Sequence, residues 1–295
     1  MSTGRAEFGP DRTIVWLASY PKSGNTWLRA MLTAYLLPDR PLDLNAMVGA
    51  TQVLDRQLLD DLTGISSSEL TPEETIPYQA MLFREIARDN DPPLFAKTHW
   101  ASVHDGDGNP VFPADATAGA IHIVRDPFDI VPSLSHHEEK DLDRTLELMS
   151  DEAWSLDHWP DKRSTSLPQI VGSWSTHTAS WLDEATFPVL RLRFEDMLGD
   201  PSAALRSVLE FSGIAPEGYR VDAALAATQF DSLRKREAKQ GFAEKPSSTR
   251  SFFRSGRSGE GREILNEEQA ARLLRDHGAI MQRLGYTAAT AREEN

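Results

Sequence analysis

An uncharged apolar run that ends in a glycine-containing turn and passes straight into a helical pattern constrains this chain more than any other feature. The run is TIVWLASY, Thr13 to Tyr20, whose β-branched and aromatic residues predict a buried strand. From Asn25 onward Trp27, Leu28, Met31, Leu32, Tyr35 and Leu36 recur at three- and four-residue spacing until Pro38 stops them, which predicts a helix. Three further apolar runs read as strands: LFAKTH (94–99), AIHIVRD (120–126) and PVLRLRF (188–194). Between and after them, helical spacing appears at 53–62, 78–86, 128–137, 141–150, 168–184 and 266–284, and Asp200 followed by Pro201 forms a helix start. Alternating strands and helices predict one α/β domain over residues 1–295, with a mostly parallel central sheet flanked by helices on both faces. Residues 38–93 read as an irregular insert broken by prolines, including Pro72 and Pro77, and 240–261 as a loop rich in Gly, Ser and Arg. Residues 1–12 and 287–295 read as flexible tails.

Charge and cysteine content narrow the function classes. Lys plus Arg number 31 against 45 Asp plus Glu, a net charge of −14, so a nucleic-acid polymer is disfavoured as a partner. Without a cysteine the chain has no disulfide, no thiolate nucleophile and no Cys-ligated zinc, and its histidines show no metal-ligand spacing. The start lacks a secretory pattern, and no early apolar stretch approaches the ~20 residues that span a bilayer. A cytoplasmic protein with no membrane partner and no metal is the expectation.

SYPKSGNTW, Ser19 to Trp27, joins the first strand to the first helix. A loop that feeds a helix N-terminus offers unpaired N–H groups and the positive end of the dipole, which favour phosphate. Lys22 adds charge, Ser23 and Thr26 add hydroxyls, and Gly24 allows close backbone approach. It is a P-loop-like segment without the Walker A glycine spacing. In IVRDPFDIVPS a strand ends at Arg125 and the next helix carries Ser133, a pairing suited to holding a phosphate. KTHW places Lys97 and His99 at the carboxyl end of a strand, where α/β sheets gather ligands, and imidazole suits general-base work. SFFRSGRSGEGRE, from Ser251, concentrates Arg254, Arg257 and Arg262 in an acidic chain. His136 and His137 read equally well as pocket lining or as a polar helix face.

These ordered motifs resemble the sulfotransferases that use phosphoadenosine phosphosulfate (PAPS), the cytosolic type and its bacterial relatives, over residues 13–286. The resemblance implies sulfuryl transfer from PAPS to a hydroxyl, or an amine, of a small-molecule acceptor, with release of adenosine bisphosphate (PAP). It assigns Lys22, Ser23, Gly24, Asn25, Thr26 and Trp27 to the phosphosulfate loop, and Arg125 and Ser133 to the 3′-phosphate. His99 matches the catalytic base, Lys97 a neutraliser of the sulfuryl oxygens, and Ser133 a restraint on Lys22 before the acceptor arrives. Trp27 and Phe230 would sandwich adenine beside Thr228, while Arg254, Ser255 and Gly256 match a closing loop. The chain departs from the pattern at Phe194, where relatives have tyrosine, at Ser255 for lysine, and at Gly261–Arg262 for Trp-Lys. The family's dimerisation motif is not recognisable, so a homodimer stays open. A nucleotide kinase of related fold and a PAP-binding protein without turnover are the alternatives. The acceptor pocket is expected from 38–93, 134–170 and 235–253, with Tyr78, Phe83, Trp154, Trp159 and Phe242 as candidate walls.

Overall fold

The computed structural model describes residues 4–49, 55–156, 165–245 and 251–286. In chain order the elements begin with β1 (Ile14–Ser19), α1 (Asn25–Leu36), α2 (Arg56–Thr63), α3 (Pro72–Arg88), β2 (Leu94–Thr98) and β3 (Thr117–Val124). Next come α4 (Pro127–Glu138), α5 (Leu142–Ser150), β4 (Ser155–Leu156), β5 (Gln169–Ile170), α6 (Trp174–Asp183) and β6 (Val189–Arg193). The chain closes with α7 (Phe194–Gly199), α8 (Pro201–Phe211), α9 (Gly218–Ala227), α10 (Phe230–Gln240), α11 (Glu260–Ile264) and α12 (Glu267–Arg283).

All six residues of β1 are buried, so it needs neighbours on both edges and cover on both faces. It has them: the sheet order is β2-β1-β3-β6, with every pair parallel. Leu17 sits opposite Lys97 on one side and Ile121 on the other. Strand alternation sorts the core. Val15 and Leu17 pack with Leu28, Leu32, Ile121 and Leu205 on one face, and Ile14 and Trp16 with Phe83, Phe112 and Trp181 on the other. Short polar caps set the helix starts, with Asp126, Ser173, Asp200 and Asn266 each accepting a backbone N–H in the first turn.

Some expectations change. Pro72 and Pro77 do not break the insert. Pro72 starts α3 under a Thr71 capping box and Pro77 lies inside it. The pattern at 168–184 is helical only from Trp174, because Gln169 and Ile170 pair with β4 instead. Residues 4–12 are tied down rather than loose: Ala6 N–H donates to Phe211 O (2.9 Å), Glu7 N–H to Ala118 O (2.7 Å), and Phe8 packs on the core. The C-terminal tail, Trp159 and residues 246–250 of the basic loop lie outside the described residues.

Because the four strands are parallel, their carboxyl ends share one edge, and the residues after them converge there. Lys22, His99, Arg125 and Phe194 each follow one of those ends closely.

Candidate active site

That edge opens into a cleft of about 770 Å³, lined among others by Lys22, Gly24, Asn25, Thr26, Trp27, Lys97, His99, Arg125, Ser133, Phe194, Phe230, Arg254, Ser255 and Gly256. Residues from both ends of the sequence therefore meet at one place. Among the described residues no group of three or more His, Cys, Asp or Glu could hold a metal ion, and no helix is long and apolar enough to cross a membrane.

The loop before α1 is fixed from below. Asn25 Nδ2 donates to Leu17 O (2.8 Å) and Ser19 Oγ (3.2 Å), which stitches the turn to the end of β1. Gly24 caps α1 at φ 105 with no side-chain cap, and Gly24, Asn25 and Thr26 at this helix start line the cleft. A Cβ there would come within 2.5 Å of the Phe194 ring, so glycine is required for conformation and for space. Phe194 carries Arg125 on its face at 4.3 Å and meets Trp27 edge-on at 6.1 Å.

Arg125 is 8% exposed and held by two backbone carbonyls, Lys22 O (3.1 Å) and Arg257 O (3.2 Å), while its Nε has no partner. Lys22 Nζ lies 3.9 Å above the Phe252 ring and donates to His137 Nδ1 at 3.4 Å. Burial, then Lys97 and Arg125, pull its pKa from 10.5 to about 7. Lys97 is paired with Glu244 (2.7 Å), which also binds Arg29 (2.5 Å). Those two cations hold the Glu244 carboxylate at about 2 against the opposing effect of burial.

His99 Nδ1 is 2.7 Å from Ser19 O, and a carbonyl only accepts, so Nδ1 carries the proton and Nε2 keeps its lone pair. Burial and then Lys97 lower the ring to about 3, which keeps it neutral at working pH. Its backbone N–H donates to Gln169 Oε1 (2.9 Å). The cleft thus combines a neutral imidazole in the tautomer of a base, an anion-attracting helix end and convergent cations, the equipment for moving an anionic group onto a nucleophile.

The comparisons agree with that chemistry. A family model described as a sulfotransferase domain matches residues 12–285. The chain belongs to the sulfotransferase domain family. It is 24% identical over 275 residues to cytosolic sulfotransferase 16 of Arabidopsis thaliana, covering 87% of this chain and 72% of that protein. Sulfotransferase 1A1 of Bos taurus is 25% identical over 231 residues, 78% of this chain and 68% of that one. The fold is similar to the crystal structure of a mouse sulfotransferase complexed with PAP, with a TM-score of 0.59 at 20% identity over 96% of this chain and 91% of that one.

Within this sulfotransferase several assignments shift. Thr228 does not face the cleft: its hydroxyl donates to Ala224 O (2.7 Å), and its carbonyl accepts from Trp27 Nε1 (3.2 Å). Ser23 is 1% exposed beneath the loop, its hydroxyl unpartnered. Ser133 lines the cleft, and in the ligand-free chain Lys22 is held by His137 and Phe252. Arg254 and Ser255 line it while bound to Glu260. Of the two adjacent histidines, His137 faces the site and His136 Nε2 meets Ser251 O at 3.0 Å. Gln169, Glu244 and Phe252 fall within the segments expected to wall the acceptor pocket, but no pattern singles them out, because each reaches the site from a loop or a two-residue strand without periodicity.

Proposed function

We propose that the cleft binds PAPS and that the chain transfers its sulfuryl group to a hydroxyl of a small-molecule acceptor, releasing PAP. The observation that carries this reading is neutral His99, with its Nε2 lone pair free for a proton, in the same cleft as Lys22 and Arg125. The residues fit an anionic nucleotide: an uncapped helix start, a buried guanidinium with an unpartnered Nε, and a cleft with Trp27, Phe194 and Phe230 in its wall. PAPS, when bound, supplies a sulfuryl group whose transfer forms an O–S bond to the acceptor and breaks the S–O bond to the 5′-phosphate. His99 Nε2 takes the hydroxyl proton. Lys22 places positive charge beside the leaving phosphate, Arg125 with Ser133 holds the 3′-phosphate, and Arg254 closes over the nucleotide. The work is positioning and electrostatics, with no covalent intermediate on the chain.

The test is incubation with radiolabelled PAPS and mixed phenols, alcohols and amines in EDTA, beside a parallel incubation with labelled ATP and magnesium. Sulfate mass additions that persist in EDTA are expected. Magnesium-dependent phosphoryl transfer would support a kinase instead, and PAP binding without any transfer a non-catalytic protein.

Lys22 gives this reading a pH signature. In the free chain it loses its charge above about 7, whereas a bound phosphate holds the proton on. PAP binding at pH 8 therefore takes up close to one proton, and affinity falls by up to about tenfold per pH unit above neutrality. Calorimetry in buffers of different ionisation enthalpy measures the uptake, and Lys22→Met removes it. We also read the chain as a cytoplasmic protein of bacterial type. Sequence alone supports this, since the relatives compared are plant and animal proteins.

A further inference from the structure

Gln169 occupies an unusual position beside His99. It sits on β5, which pairs antiparallel with β4, and is 5% exposed at the cleft wall. Its orientation is set by chemistry, because the group facing the His99 N–H at 2.9 Å must be the carbonyl oxygen. The amide nitrogen of the same side chain is thereby turned away from that N–H. It has no hydrogen-bond partner among the described residues, and it is not among the atoms sealed from solvent. The carboxamide cannot flip to relieve this, since flipping would set an NH₂ against the His99 N–H. A donor fixed in direction, unpaired within the described chain and reaching the cleft is satisfied by cleft water or by an accepting group that displaces that water.

The neighbouring walls indicate what enters. Trp154, Leu156 and Phe252 offer apolar surface, while the charge of Lys97 is cancelled by Glu244 and His99 and His137 are both neutral. On this side of His99 the carboxamide N–H is a neutral, directional donor.

We propose that Gln169 selects the acceptor: its Nε2–H donates to a second, hydrogen-bond-accepting oxygen carried by the molecule whose hydroxyl reacts at His99. This rests on the transfer reading above and adds the acceptor class, an apolar-bodied hydroxyl compound with a carbonyl or ether oxygen near the reacting group. An acceptor lacking that oxygen leaves the donor unpaired, which lowers affinity by at least about tenfold.

The experiment measures binding, so it does not depend on turnover. Protein saturated with PAP is titrated with the 2-, 3- and 4-hydroxyacetophenones and with the matching ethylphenols, which share shape but lack the carbonyl. At least one hydroxyacetophenone should bind tenfold or more tightly than its ethylphenol, and the position of that isomer reports the spacing. In Gln169→Met the preference disappears. Gln169→Glu keeps an oxygen for the His99 N–H but has no donor, so there the preference is lost or reversed at pH 8. A residue that only supports His99 would weaken both members of a pair equally. No discrimination by the native protein, or discrimination that survives both substitutions, overturns the proposal. Discrimination without sulfuryl transfer overturns the transfer reading and leaves Gln169 as a selector of bound phenols.

Discussion

His99→Ala lowers sulfuryl-transfer turnover by about 10²- to 10⁴-fold while PAP affinity changes by no more than a few-fold. The loss follows from geometry. Nδ1 is committed to Ser19 O, so Nε2 is the basic atom of the ring, and alanine supplies no replacement acceptor for the hydroxyl proton. Affinity survives because the nucleotide groups, Arg125 and the α1 start, are held by contacts independent of the imidazole. The ring also makes a pH prediction. Burial and Lys97 hold it near 3, so its protonation, which would silence the base, does not reduce kcat/KM anywhere above about pH 4. Labelled-sulfate transfer and PAP calorimetry on the same preparation decide both points, and near-native turnover in the variant removes His99 from the mechanism.

Gly261→Ala should lower the melting temperature by about 5 °C and weaken PAP binding. A Cβ at this position would lie 1.8 Å from Phe128 O and 2.3 Å from its carbonyl carbon, and backbone cannot rotate away as a side chain can. The first turn of α11 would have to lift off α4. That separates Gly261 N–H from Asp129 Oδ1 (2.9 Å) and Gly259 N–H from Asp129 Oδ2 (2.8 Å), the bonds that seat the basic loop. Forced overpacking costs about 3 kcal/mol, which in a chain of this size corresponds to the stated shift. The Arg257 carbonyl, which orients Arg125, belongs to the same loop, so the nucleotide site loosens with it. Thermal melts with and without PAP measure both effects. An unchanged melting temperature would show that α4 and α11 separate at little cost.

Much of the site was legible because it lies where local patterns change. The carboxyl ends of strands are short-range features, so Lys22, Gly24, His99 and Arg125 could be read from the residues beside them, and the parallel sheet then brings them together. Partners from far along the chain were not. Glu244, from a loop 147 residues beyond Lys97, cancels its charge, and His137 holds Lys22 in the ligand-free chain. Thr228 was misplaced because a threonine at a helix end bonds its own turn as readily as a ligand.

The sequence by itself determined the strand, loop and helix order, the buried two-faced β1, and the glycine-bearing turn that leads into α1, since these depend on spacing and composition over a few residues. Only the tertiary structure decided which charges are paired, which nitrogen of His99 is basic, and why position 261 has no room for a side chain. Those outcomes depend on atoms distant in sequence that approach within hydrogen-bonding or contact distance, and no local pattern encodes that approach.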